Sequence, residues 1–492
     1  MDLKCLLKEA TYNLPATVMN CEVTGVTADS REVRAGAVFV AIAGLHHNGA
    51  DYINEALERG AVAVVCECET CDVPCVRVQN AREALARLTD AWYGHPARGM
   101  KLIGITGTNG KTSTATMLAW ILRQAGYSCG LIGTVECTLN GAPVETGVTK
   151  DPLANMTTPD PAQLYAMLAA MRDGGADYVV MEVTSHALTF SKVAPLTFER
   201  ALFTNLTPEH LDLHGDMESY FSAKRSLFAG AKGAVISCLT PFGDRLADCL
   251  EIPLWCLDRQ NFRLTCSKGV EGSEFTINCE KGQNIVFSLP VAGDFFAENG
   301  AMAALTALSL GIAPPIVQRA LSCFGGVRGR MERVAVGRDD VAVFLDYAHT
   351  PDALERLLYA VRGFRREKQR IVLLFGCGGD RDRSKRSEMG RIASRLADFV
   401  ILTSDNCRFE DPDRILRDIL KGVDKERPYK LIPDRRAAIA YAARTVRRGD
   451  ILILAGKGHE EYEIRGNERL RFSERELLLS CFAQREGCDH AD

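Results

Sequence analysis

No stretch of about 18 or more apolar residues occurs in this 492-residue sequence, so it offers no candidate for a membrane-spanning helix. The opening Met1-Asp2-Leu3-Lys4 lacks the pattern of a secretory leader, and the expectation is a cytoplasmic protein with no membrane partner. An excess of positive charge is also missing. The 59 Lys and Arg against 63 Asp and Glu leave a net charge of −4, and a chain without a basic surface is not expected to bind nucleic acid. The 18 cysteines are scattered through apolar segments, where they read as small core residues or free thiols of a reducing compartment. Cys66, Cys68, Cys71 and Cys75 cluster as CxCxxCxxxC, which is not the paired-CxxC spacing of a zinc site.

What remains is the composition of a soluble globular protein, 47% apolar and 25% charged. The chain is too long for one core, and about two to four domains are expected. Its organising stretch runs from Lys101 to Thr112. An apolar strand pattern (Lys101-Leu102-Ile103-Gly104-Ile105) feeds Thr106-Gly107-Thr108-Asn109-Gly110-Lys111-Thr112-Ser113. Met117, Leu118, Ile121 and Leu122 then fall at helical spacing, so 112–125 reads as a helix. Backbone N–H groups in such a turn, with the positive end of the helix dipole, cradle phosphate oxygens. Lys111 is placed to reach the β/γ-phosphates of a nucleoside triphosphate and Thr112 to ligate Mg²⁺. The P-loop pattern asks for glycine where Ile105 stands; Gly104 and Gly107 flank it. The alternative is an ordinary glycine-rich strand-to-helix turn.

Before this stretch, residues 1–98 carry short strands (37–41, 61–65) and two polar loops, Asp29-Ser30-Arg31 and Gly44-Leu45-His46-His47-Asn48-Gly49. His95-Pro96-Ala97-Arg98-Gly99 reads as a linker. Residues 99–331 are expected to form a nucleotide domain. In it Glu182 ends an apolar strand over 177–183, where open α/β sheets bind ligands. A third strand, 201–206, leads to His210 and His214, a spacing open to metal binding, capping or core roles. A helix over 219–228 carries Lys224, which by itself reads as a surface charge, and Thr157-Thr158-Pro159-Asp160-Pro161 reads as a loop entering a helix. Residues 332–492 repeat one device four times. Strands over 341–345, 370–375, 398–402 and 450–454 each end in a polar, glycine-rich or charged loop. That is a doubly wound sheet with its site along the strand ends.

Taken in order, GTNGKT, MEVTSHAL, TNLTPEHLDLHGDMESY with Lys224, DYAHTPDAL, GCGGDRDRSKR, DNCRFEDP and AGKGHE resemble the Mur ligases. Each motif is weak alone; the ordered set is specific and spans nearly the whole chain. The resemblance implies an α/β protein of three domains: an N-terminal domain for the uridine nucleotide, a central P-loop ATPase, and a C-terminal Rossmann-like domain for an amino acid. It implies ATP-dependent amide formation through an acyl phosphate, in peptidoglycan precursor synthesis. The substrates would be UDP-MurNAc-L-Ala-D-Glu and an incoming amino acid, handled by a monomer.

By the same resemblance Lys111, Glu182, His210 and Lys224 are the catalytic residues. Thr112 and Glu182 hold one Mg²⁺ and His210 helps hold a second, with Lys224 carbamylated by CO₂ because an ammonium there would repel the metals. Asn299, Arg330 and His349 lie near ATP, together with Gly107 to Ser113. Ser30, Thr157, Thr158, Ser185 and Lys192 match contacts to the UDP-substrate, with Lys192 where arginine is usual and Phe190 where glutamine is usual. A lysine keeps the charge and loses the bidentate fork. Members that add meso-diaminopimelate carry Asp-Asn-Pro-Arg. Here the residues are Asp405, Asn406, Cys407 and Arg408: the arginine that grips the distal carboxylate is present, and cysteine in place of proline is expected to loosen the turn. Arg381, Gly456 and Glu460 complete the amino-acid site, Glu460 taking the distal ammonium. The acceptor is therefore expected to be meso-diaminopimelate. The rivals are a related ligase using L-lysine or a folate, and a P-loop NTPase switch.

Overall fold

A computed structural model describes residues 1–12, 20–44, 47–67, 75–147, 156–259, 262–268, 272–279, 284–291 and 293–489. Cys68, Cys71 and part of the 44–49 loop lie outside the described residues. The chain divides into two compact units. The first comprises Met1–Gly107, Leu122–Leu206 and His214–Trp255; the second comprises Thr108–Ile121, Thr207–Leu213 and Cys256–Asp492. Among the described residues no helix is long and apolar enough to cross a membrane.

The first unit begins with a four-stranded parallel sheet, β1 (Gly25–Thr27), β2 (Ala37–Val40), β3 (Ala63–Cys66) and β4 (Cys75–Arg77), in that spatial order. Alternation along β2 explains why it is buried on both faces. Val38 and Val40 join Leu3, Leu6, Leu7 and Leu88 on one side, while Phe39 joins Val33, Val64 and Ala56 on the other. Cys66 is buried and Cys75 half-buried within paired strands, as core thiols should be.

Eight strands make the next sheet: β5 (Lys101–Thr106), β6 (Cys129–Ile132), β7 (Cys137–Leu139), β8 (Ala142–Pro143), β9 (Tyr178–Glu182), β10 (Arg200–Phe203), β11 (Ala234–Ser237) and β12 (Leu254–Leu257). Their order is β12-β11-β10-β5-β9-β6-β7-β8. β5 sits inside a parallel core with β9 and β10 beside it, which is why its sequence is a continuous apolar run. Ile105, at the expected glycine position, is an interior residue of β5 paired in register with Glu182. The strand continues through it, so the turn starts two residues later, at Gly107.

In the second unit, β13 (Phe262–Lys268), β14 (Ser273–Cys279) and β15 (Asn284–Leu289) form an antiparallel sheet. The C-terminal sheet has six strands, β16 (Glu332–Val334), β17 (Ala342–Asp346), β18 (Ile371–Phe375), β19 (Phe399–Leu402), β20 (Tyr429–Leu431) and β21 (Ile451–Ala455), ordered β16-β17-β21-β18-β19-β20. The four expected strands are its centre. The antiparallel β16 and the short β20 are additions whose three residues each leave too little period to read. β21 returns from the far side to lie between β17 and β18. The winding direction reverses there, and the loops after β17, β18, β19 and β21 meet at the carboxyl ends flanking that point.

Candidate functional site

The loop after β5 is a backbone device. Gly107 has φ +147°, and a Cβ there would stand 1.9 Å from Thr204 Oγ1; Gly110 has φ +86°, and a Cβ there would stand 2.2 Å from Asn299 Oδ1. Only glycine satisfies both positions. Lys111 opens the helix Lys111–Gln124 and bends back so that its Nζ donates to Thr108 O at 2.9 Å. In the second unit Thr108 Oγ1 accepts from Thr207 N at 3.0 Å, Asn109 Nδ2 donates to Asp352 Oδ2 at 2.7 Å, and Arg330 Nη2 donates to Thr112 Oγ1 at 3.3 Å. Ser113 and Asn299 are buried, and the Thr114 hydroxyl reaches Asn299 Oδ1 at 3.5 Å. The Arg330 guanidinium lies 4.4 Å over the Tyr347 ring. Asp346 Oδ2 accepts from Met331 N and Asp346 Oδ1 from Ala348 N, both at 2.7 Å. Burial raises the Asp346 pKa, with Arg330 acting against it.

His349 Nδ1 stands 2.9 Å from Tyr347 O. A carbonyl only accepts, so Nδ1 carries the proton and Nε2 is left as the acceptor of the neutral ring. His210, in the left-handed region at φ +56°, pairs with Glu209 at 3.8 Å. His214 instead meets Ser185 Oγ at 3.0 Å and stacks on Tyr220 at 4.9 Å. The helix Leu211–His214 begins only after His210, so the i, i+4 geometry never forms. Among the described residues no group of three or more His, Cys, Asp or Glu is arranged to hold a metal ion.

In the first unit Glu182 is buried at the end of β9. Its Oε1 accepts from Thr134 N at 2.8 Å and its Oε2 from Thr134 Oγ1 at 3.1 Å, while Thr134 Oγ1 shares a hydrogen bond with Thr157 Oγ1 at 2.9 Å. Thr158 Oγ1 donates to Glu182 O and accepts from Thr184 N. Lys224 was expected on a helix over 219–228, and by itself read as a surface charge. It lies on the helix Met217–Arg225 and is 1% exposed. Its Nζ donates to Gly107 O at 2.9 Å and sits 4.5 Å over the Tyr220 ring. Burying an amine is costly without a partner; here a partner is the backbone of the loop after β5.

Lys192 is also buried. Its Nζ pairs with Asp160 Oδ1 at 2.8 Å and touches Thr158 O at 3.4 Å. Asp160 precedes the helix Pro161–Asp173 without capping it, because its carboxylate serves Lys192. Ser30, at the end of β1, donates to Glu55 Oε2 at 2.9 Å.

At the C-terminal strand ends, Asp405, Asn406 and Cys407 are buried. Asn406 Nδ2 donates to Glu460 Oε2 at 2.8 Å, and Asn406 Oδ1 accepts from Lys457 Nζ at 2.8 Å and Ile464 N at 3.0 Å. Lys457, fully buried, also lies 3.3 Å from Asp405 Oδ1 and 3.8 Å from Glu460 Oε2. Burial alone would raise Asp405, but the charges of Lys457 and Arg435 outweigh it and hold the carboxyl at about 2. Glu460 is displaced the other way, raised by burial and by Asp405's charge. Arg408, at φ +50°, donates through Nη1 to Gly379 O at 2.9 Å and Asn406 O at 3.3 Å. A Cβ at Gly378 would stand 3.1 Å from Arg408 Nη1 and 3.8 Å from Arg381 Cγ, so both arginine side chains flank that glycine. Desolvation, followed by Arg408's charge, lowers the Arg381 pKa, and no ion pair to either occurs among the described residues. Gly456 N donates to Asp346 O at 3.0 Å, tying β21 to β17. The turn is not loosened at Cys407. Asp405 Oδ1 on Asn406 N, Ile464 O on Arg408 N and Arg408 O on Gly466 N pin it on both sides.

Lys457, Arg435, Thr134 and Asp352 were not singled out from the sequence. Lys457 stands inside AGKGHE and was open to discovery. Arg435, whose guanidinium binds Glu474, Ser404 O and Ala455 O, follows a short strand with no motif.

Three family models match in sequence order: "Mur ligase family, catalytic domain" over residues 22–93, "Mur ligase middle domain" over 105–308, and "Mur ligase, glutamate ligase domain" over 329–458. A UDP-N-acetylmuramoyl-L-alanyl-D-glutamate--2,6-diaminopimelate ligase of Chlorobaculum tepidum is 42% identical over 94% of this chain and 93% of its own length. Its namesake from Gloeobacter violaceus is 40% identical over 96% of each. A solved structure of a ligase with that name superposes with a TM-score of 0.68 at 28% identity, covering 99% of this chain and 100% of its own. The MurF ligase of Thermotoga maritima, solved in complex with ADP, shares the fold at 18% identity with a TM-score of 0.62, over 96% of this chain and 100% of its own. By these matches the chain belongs to the Mur ligase family, an ATP-dependent amide-forming group.

Proposed function

We propose that this chain joins meso-diaminopimelate to the D-Glu γ-carboxylate of UDP-MurNAc-L-Ala-D-Glu, converting ATP to ADP and phosphate. The carboxylate attacks the γ-phosphorus to give an acyl phosphate and ADP. The amine then attacks the acyl carbon, phosphate leaves, and the ammonium proton is lost. Residues 1–98 serve the uridine nucleotide, 99–331 the ATP and 332–492 the amino acid, in a cytoplasmic monomer.

The nucleotide fits the loop because Gly107 and Gly110 leave no side chain over its amides and Lys111 is a cation whose Nζ rests on Thr108 O. Asn299, Arg330, His349 and Ser113 border the nucleotide. Thr112 and Glu182 are the residues for one Mg²⁺ and His210 for a second; bound there, Mg²⁺ neutralises phosphate charge. Glu182 suits this role, being a strand-end carboxylate held by Thr134 on both oxygens. Lys224 carries a carbamate, formed from its neutral amine and CO₂ with loss of a proton. The carbamate keeps one N–H, so the bond to Gly107 O survives while two acceptor oxygens are added. Ser30, Thr157, Thr158, Ser185 and Lys192 line the path of the UDP-substrate.

One observation carries the choice of amino acid: the Arg381 and Arg408 side chains both flank Gly378, with Arg408 bonded to Asn406 O and Asn406 bonded to Glu460. Paired guanidiniums suit a carboxylate, and a carboxylate of raised pKa held by Asn406 suits an ammonium. Diaminopimelate presents both at its distal end, lysine only the second. Phosphate release with ATP, Mg²⁺ and UDP-MurNAc-L-Ala-D-Glu tests it. Release driven by diaminopimelate and not by L-lysine is expected. Release with lysine overturns Arg408's role, and release indifferent to either returns the chain to an NTPase.

A further inference from the structure

Among the described residues, one cation at the uridine end of the first unit has no anionic partner. Arg82 occupies the first turn of the helix Ala81–Trp92. Positive charge there opposes the helix dipole, so the helix gains nothing from it. The cap is complete without it: Asn80 Oδ1 accepts from Glu83 N at 3.1 Å and Glu67 Oε1 from Ala81 N at 2.6 Å.

The guanidinium is nonetheless held in place. Its Cζ lies 4.5 Å from the Phe190 ring centroid, and Nη2 donates to Ala43 O at 2.9 Å. Among the described residues no ion pair involves it. Its position follows from topology. β1 to β4 are all parallel, so the segments after each strand emerge at one edge. Ser30 follows β1, Ala43 follows β2 and Arg82 follows β4, and that edge is where such sheets take ligands. Lys192, two residues beyond Phe190, is committed to Asp160 at 2.8 Å, so its charge is already answered. Phe190 in turn is the surface on which Arg82 rests, a use that glutamine would not serve.

We infer that Arg82 is a substrate-binding residue that takes the diphosphate of the uridine nucleotide, with Phe190 fixing the guanidinium plane. The inference rests on assigning residues 1–98 to that nucleotide. A fork locked by stacking and one carbonyl bond keeps its remaining N–H groups for an anion of two adjacent phosphates.

The test is calorimetric titration of UDP and of uridine into the full chain, with excess ADP present to occupy the loop at Gly107–Thr112. For Arg82→Gln, UDP binding is expected to fall about ten- to a hundredfold while uridine stays within about twofold. Arg82→Lys should recover part of the loss, and Phe190→Leu should weaken UDP severalfold. In turnover, KM for the UDP-substrate rises in Arg82→Gln while kcat and KM for ATP hold. UDP binding unchanged by Arg82→Gln, or equal losses for UDP and uridine, overturns the role of Arg82. A wild-type chain that binds neither compound overturns the assignment of residues 1–98 themselves.

Discussion

The loop at Gly107–Thr112 and the turn at Asp405–Arg408, the two places proposed to hold an anionic group, are built by opposite means. The first is built from backbone: its glycines leave amides bare, and its one flexible cation rests on a carbonyl. The second is built from side chains that meet from β18, β19 and β21, with Lys457 buried among Asp405, Asn406 and Glu460. A backbone site fails when an atom is added. A side-chain site fails when one is removed, because each charge left behind has lost its answer.

The largest expected effect follows from adding that atom. Gly107→Ala puts a Cβ 1.9 Å from Thr204 Oγ1 in a left-handed residue, and ATP-dependent phosphate release should drop roughly a hundred- to a thousandfold, with ADP affinity falling in parallel. Removing an atom comes next. Lys457→Met leaves Asp405 and Glu460 buried without their cation, and urea unfolding should show a loss of about 3–5 kcal/mol; a loss below about 1 kcal/mol would mean that Arg435 alone sustains Asp405.

A third test separates the two carboxylates by pH. Asp405 is depressed to about 2, so its contribution is complete above its unfolded value and is lost as pH falls through about 2. Glu460 is raised, so its contribution to stability is present below its unfolded value and is lost as pH rises through the folded one. Affinity for the amino acid runs against that stability. As pH falls into the range above ordinary carboxylates, Glu460 takes a proton and binding of diaminopimelate by titration should weaken, while Glu460→Gln should be weak and flat with pH. The smallest effect is expected at Cys407→Ala. The turn is pinned by Asp405, Ile464 and Gly466, so KM for the amino acid should move by less than about twofold and stability by less than about 1.5 kcal/mol.

The same contrast explains what could be read in advance. The GTNGKT loop and its helix were legible because their chemistry lies in one contiguous stretch; Ile105 only looked like a defect, since the strand runs through it. Asp405, Asn406, Arg408 and Glu460 were grouped through their motifs, and the fold brings them into contact around one turn. Arg435 and Asp352 were not, because their importance comes from what three dimensions place beside them. Lys224 shows the limit most plainly. By itself a lysine on an amphipathic helix reads as surface; the resemblance marked Lys224 as a site residue, and the fold adds its burial and its bond to Gly107 O.

Thr112 bears on more than its own loop. A hydroxyl oxygen has one proton and two lone pairs, and on Thr112 one lone pair already receives Arg330. Arg330 precedes Met331, whose amide is fastened to Asp346 at the first parallel strand of the C-terminal sheet. A metal cation arriving at that oxygen meets a guanidinium of like sign. One hydroxyl is therefore shared between the loop after β5 and the segment that leads into the C-terminal sheet.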